Sequence, residues 1–133
     1  MTSYLWVAVG GAVGSVTRFW LSGVVDQRWE TFPWGTMAVN VTGSVLIGML
    51  AALSEPHGRW FVSSELRQFL MIGVCGGYTT FSSFSLQTLN LARDGEWLPA
   101  AMNVALSVVL CLAGVWLGNS LALSLNSLKT PTH

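Results

Sequence analysis

The sequence carries very little charge. Only 9% of its 133 residues are Asp, Glu, Lys or Arg, against about 25% in an ordinary soluble domain. Its six acids and six bases cancel to a formal net charge of +0. There is therefore no basic surface of the kind that captures nucleic acid, and no nucleic-acid partner is expected. None of the acids (Asp26, Glu30, Glu55, Glu65, Asp94, Glu96) falls within an apolar run. Proton antiport and cation passage usually rely on carboxylates inside the membrane. A small multidrug or cation antiporter is disfavoured on that ground.

Other absences narrow the class further. The two cysteines, Cys75 and Cys111, lie in apolar segments without metal-ligand spacing and read as small hydrophobes. His57 sits in a polar connection with no histidine or cysteine at ligand spacing, so it reads as a solvated loop residue. There is no Gly-x-x-x-x-Gly-Lys-Ser/Thr loop and no catalytic constellation, so neither ATP-driven transport nor an enzyme is expected. The first apolar stretch lacks the basic start and cleavage site of a signal peptide and reads as a retained helix.

What the chain has in abundance is apolar surface. Hydrophobic residues make up 52%, with seven tryptophans and fourteen glycines. Interfacial Trp and packing Gly are both enriched in membrane helices, and a soluble domain of this composition would expose far too much apolar area. The fold class expected is all-α integral membrane, with 1–133 forming a single membrane domain. Four transmembrane helices are expected at about 4–25, 34–53, 66–92 and 97–123. Pro33 and Trp34 suit a helix start at an interface. The tail to His133 is polar and expected to fray.

The third span is the anomalous one. An unbroken helix from Leu66 to Ala92 would be roughly 40 Å long, more than the ~30 Å hydrocarbon core requires. Its middle reads Gly73-Val-Cys-Gly-Gly-Tyr-Thr-Thr-Phe-Ser-Ser-Phe-Ser85. Gly76-Gly77 followed by Thr79-Thr80 raises the cost of a continuous helix, so a break at mid-membrane is expected. Such breaks expose backbone polar groups and often mark ion or substrate sites. Beyond it, Phe81, Phe84 and Thr88 share one face, beside a polar stripe of Thr80, Ser83, Gln87 and Asn90.

Polar residues in the other spans are few. Gly10, Gly14 and Arg18 recur at intervals of four on one face of the first span. The glycines read as a packing stripe. Arg18 has two readings: an anchor snorkelling to the interface, or an electropositive vestibule for anions. Asn40, in the second span, is either a functional amide or an interhelical hydrogen bond holding the fold. Asn103, Ser107 and Cys111 line one face of the last span with Gly114 and Gly118. With no acid inside, these amides, hydroxyls and ring edges favour a small anion.

Charge gives little orientation. Arg59, Arg67 and Lys129 fall on one side of a four-span chain, and Arg18, Arg28 and Arg93 on or near the other. The positive-inside rule has almost nothing to act on. A chain that inserts both ways can form an antiparallel two-fold dimer.

Together these residues carry a family resemblance. Gly10-Gly11-x-x-Gly14-x-x-x-Arg18, then Pro33-x-Gly35-Thr36-x-x-x-Asn40-x-x-Gly43, then Gly73-x-x-Gly76-Gly77-x-Thr79-Thr80-Phe81-Ser82-x-Phe84 resembles the Fluc (CrcB-type) fluoride channels. The similarity implies a multi-pass protein of the bacterial inner membrane. It also implies an antiparallel dual-topology homodimer with two fluoride pores and a fixed, untransported Na+ at its centre. By motif position, Phe81 and Phe84 would line the pore with their ring edges, and Asn40 would donate to fluoride. Thr80, Ser83 and Ser107 would form a polar track beside them. Backbone carbonyls of Gly76 and Thr79 would hold the sodium. Gln87 stands where many relatives carry a glutamate, so no carboxylate can act there. The activity implied is passive export of cytoplasmic fluoride, which lowers its toxicity.

Overall fold

A computed structural model describes residues 2–29, 31–55, 60 and 62–128. Glu30, His57, Arg59 and Lys129, with the tail to His133, lie outside the described residues. The chain forms α1 (Thr2–Asp26), α2 (Trp34–Leu53), α3 (Ser64–Gln68), a π-helical segment (Phe69–Cys75), α4 (Gly76–Tyr78), α5 (Phe81–Arg93) and α6 (Trp97–Ser127). The stretch Ser64–Arg93 works as one interrupted rod, giving four helices long and apolar enough to cross a membrane. The last of them continues past its expected end at Leu123 to Ser127. At 1.5 Å per residue α6 is roughly 46 Å long, so it outreaches the ~30 Å hydrocarbon core.

The helices pack through missing side chains. A Cβ on Gly118 of α6 would run into the Val45 carbonyl of α2 and stand 3.0 Å from Met49 N. A Cβ on Gly14 of α1 would meet the Val74 carbonyl and the Tyr78 nitrogen at 2.7 Å. Backbones can approach this closely only where glycine stands, and in lipid such contact replaces the hydrophobic drive as the source of helix association. Hence α2 lies along α6, and α1 lies along the π-helical segment and α4. Outward faces stay apolar and exposed, as at Phe19, Trp97 and Trp116.

Two departures from regular helix fall in the third rod. From Phe69 to Cys75 the turns widen to π-helix, a form frequent at functional sites. Then Thr79 (φ −85°, ψ 157°) and Thr80 (φ −152°, ψ 111°) are extended, and the helix restarts at Phe81. Gly76 and Gly77 themselves remain helical. The interruption thus falls two residues beyond the glycine pair.

Candidate functional site

The interruption is held from two sides. Asn40 of α2 takes hold of Thr80 through both main-chain groups. Its Oδ1 accepts from the Thr80 N–H at 2.7 Å, and its Nδ2 donates to the Thr80 carbonyl at 3.0 Å. The amide mimics a strand partner for one extended residue, an exchange that uses one of its two N–H bonds and leaves the other. From α1, Arg18 Nε donates to the Gly77 carbonyl at 3.2 Å, and Ser15 Oγ reaches the same oxygen at 3.4 Å. Arg18 thus makes a specific main-chain contact through Nε. Its guanidinium is tied to the end of α4.

Restarting the helix needs a cap. The Thr80 side chain accepts from the Ser83 N–H at 3.2 Å, an N-cap for α5. Its Oγ1 also donates to Ser83 Oγ at 3.0 Å. These bonds leave two carbonyls short of their usual donors. The Gly76 oxygen would accept from the Thr80 N–H in a continuous helix, and the Thr79 oxygen from the Ser83 N–H. Both donors are engaged elsewhere. Carbonyls released at a helix end need another partner, and a hard cation is one that suits oxygen ligands.

A groove of about 430 Å³ opens over this region. Asn40, Gly76, Thr79 and Thr80 line it, and so do Phe81, Phe84 and Ser107. Residues 40, 76, 79–81, 84 and 107 are thus brought to one place by α2, α4, α5 and α6. The two phenylalanine rings lie 5.2 Å apart between centroids, tilted by 53°. Phe84 is buried at 8% exposure, whereas Phe81 is 77% exposed on the open side of the groove. Ser83 stands behind the wall, bonded to Thr80, and Arg18 approaches from the α1 side.

A second hydrogen-bonded series supports the far wall. Ser107 Oγ donates to Asn103 Oδ1 at 3.4 Å, and Asn103 Nδ2 donates to Thr88 Oγ1 at 2.9 Å. Thr88 Oγ1 in turn donates to the Phe84 carbonyl at 2.8 Å. Asn103 is 1% exposed, and its part in the site was not foreseen. Its position four residues before Ser107, in an apolar span, is the signal that could have marked it. Gln87 lies apart, in a second cavity of about 390 Å³ with Asp26 and Trp29. Its Oε1 is buried without a hydrogen-bond partner among the described residues.

Residues 5–119, which include every group just described, match the model of the CrcB-like protein (Camphor Resistance, CrcB) family. The chain belongs to this family. Among curated CrcB-type relatives, a protein from Opitutus terrae named "Fluoride-specific ion channel FluC" is 61% identical over 97% of this chain and 98% of its own length. A protein of the same name from Rhodospirillum rubrum is 58% identical over 93% of this chain and 97% of its own. One from Methylocella silvestris is 54% identical over 95% and 97% respectively. These relatives are named as ion channels, not enzymes.

Proposed function

We propose that the chain is a fluoride-selective channel through which cytoplasmic fluoride leaves the bacterial cell passively, lowering its toxicity. The observation that carries the reading is the groove at the Thr79–Thr80 interruption, where the Asn40 amide meets the Phe81 and Phe84 rings. The names of near-identical-length relatives point the same way.

The chemistry of the groove suits a small, strongly hydrated anion. Stripping water from fluoride demands closely placed donors, and Asn40 retains one N–H after binding Thr80. Aromatic edges carry partial positive charge and can meet an anion in the ring plane. Thr80 and Ser107 supply hydroxyls that rotate to donate as the ion passes, and Ser83 supports the Thr80 hydroxyl from behind. The flux needs no coupled energy: neutral HF enters, dissociates inside, and the trapped anion leaves down its gradient.

One copy leaves this groove open on the Phe81 and Gly76 side, which supports a homodimer that closes it. Near-balanced charge on the two faces of the chain supports an antiparallel, dual-topology pair, with the helix interruptions lying mid-membrane. The Gly76 and Thr79 carbonyls, released from helical bonding, would hold a structural Na+ where the two copies meet. Bound there, the ion would neutralise converging carbonyl dipoles and fix the interruption.

Efflux from liposomes holding the purified protein tests the function, read with a fluoride electrode and repeated with chloride. Rapid fluoride loss that depends on a potassium ionophore, with negligible chloride loss, is expected. Folded protein that passes no fluoride would refute the proposal.

A further inference from the structure

Side chains engage two of the main-chain carbonyls around the interruption. Gly77 O is taken by Arg18 and Ser15, and Thr80 O by Asn40. The carbonyls of Gly76, Tyr78 and Thr79 are not engaged by side chains among the described residues, and the N–H groups that would bond Gly76 and Thr79 in a helix are taken by Asn40 and by the Thr80 hydroxyl. A helix end releases several carbonyls at once, and any of them can compete for a cation. At this end side chains from α1 and α2 engage two of them, Gly77 O and Thr80 O.

We propose that Arg18 is a positioning residue for the cation site. Its Nε–H withdraws the Gly77 carbonyl from competition with the Gly76 and Thr79 oxygens that would coordinate. This rests on the carbonyl sodium site proposed above. Two features carry it beyond a generic anchor. The donor is Nε, the atom nearest the side chain's stem, not a terminal nitrogen. Ser15, one helical turn earlier, turns toward the same oxygen, so α1 directs two donors at a single carbonyl.

The use of Nε makes the role separable from charge. Nε is bonded to Cδ, and so is the amide nitrogen of a glutamine. Arg18→Gln keeps an N–H donor at that place and removes the charge. Arg18→Met puts a methyl group there. Arg18→Lys keeps the charge but puts a methylene there, with its ammonium one bond farther on.

The experiment follows thermal unfolding of the full-length detergent-solubilised protein against sodium concentration, with a bulky organic cation holding ionic strength constant. A bound ion at concentration c stabilises the folded state by RT ln(1 + c/Kd), so the sodium dependence of unfolding reports its affinity. For Arg18→Gln the half-saturating sodium concentration should stay within about threefold of the parent's, and for Arg18→Met it should rise roughly tenfold, the scale of one lost hydrogen bond. A Met variant that matches the parent overturns the proposal. So does a Gln variant as impaired as Met, which would assign the effect to charge. If the Met variant does not fold, Gln and Lys decide: Gln nearer the parent supports positioning, and Lys nearer the parent refutes it. A parent protein whose unfolding ignores sodium removes the cation site and this inference with it. Fluoride efflux from the same preparation tests the channel reading independently.

Discussion

Asn40 and Thr80 exchange two hydrogen bonds across 40 residues of sequence, Oδ1 to N–H and N–H to carbonyl, at 2.7 and 3.0 Å. One amide thus completes the backbone of an extended residue between two helices. Replacing it by Asp presents a carboxylate oxygen to the Thr80 carbonyl and forfeits the donor. Asn40→Asp should lower stability by about 1–3 kcal/mol, the cost of losing a part-buried hydrogen bond and setting a carboxylate against a carbonyl, and abolish fluoride efflux. Thermal unfolding and the liposome assay measure the two effects separately.

The two phenylalanines should behave differently despite their shared face. Phe84 is buried and Phe81 is open. Lipid tails are as apolar as a protein core, so the cost of truncating Phe84 is mainly that of the cavity it leaves. Phe84→Ala should destabilise the folded chain by about 1–3 kcal/mol, and Phe81→Ala by far less. Both should lose most fluoride flux. Unchanged flux in both would remove the rings from the permeation path.

Asn103 offers a test of the supporting wall. Asn103→Leu removes the donor to Thr88 and the acceptor for Ser107, leaving both hydroxyls to find other partners. In membrane proteins such interhelical bonds are worth about 0.6–2 kcal/mol, so a loss of that size is expected. Flux should fall because Ser107 is no longer oriented toward the groove. A Ser107→Ala variant should reproduce the flux defect with less loss of stability.

Two glycine substitutions should diverge sharply. A Cβ at Gly23 meets nothing within 4 Å, so Gly23→Ala should be neutral or stabilising by up to about 1 kcal/mol through helix propensity. Gly118→Ala drives a methyl group into the Val45 carbonyl and must separate α2 from α6. A destabilisation of about 1–3 kcal/mol is expected, readable as a lower unfolding temperature in detergent.

Four helices could be read from composition and hydropathy because lipid imposes one rule on every outward face. The interruption was legible for a similar reason: Gly76-Gly77 and Thr79-Thr80 together are poor helix formers. Which of these four residues would leave the helix was not. Propensity marks the glycines, yet the helix ends where Asn40 supplies an alternative partner for Thr80, a contact made across sequence. The hydrogen-bond partner of Arg18 was hidden in the same way, being a main-chain oxygen 59 residues away. The π-helical turns leave no periodic trace, since they arise where Gly10 and Gly14 let α1 press against the rod. Asn103 appeared only as one polar residue on a helix face until Thr88 was placed opposite it.

Where a membrane helix is interrupted, the chain ordinarily gains a joint at which its halves can swing. Here the joint is pinned by Arg18 from α1 and by Asn40 from α2, so neither half turns without breaking a bond to a different neighbour. In the channel proposed, this rigidity removes the most obvious gate. Conduction would then follow the fluoride supply directly, as in a permanently open drain, and the cell would regulate the leak by how many copies it makes.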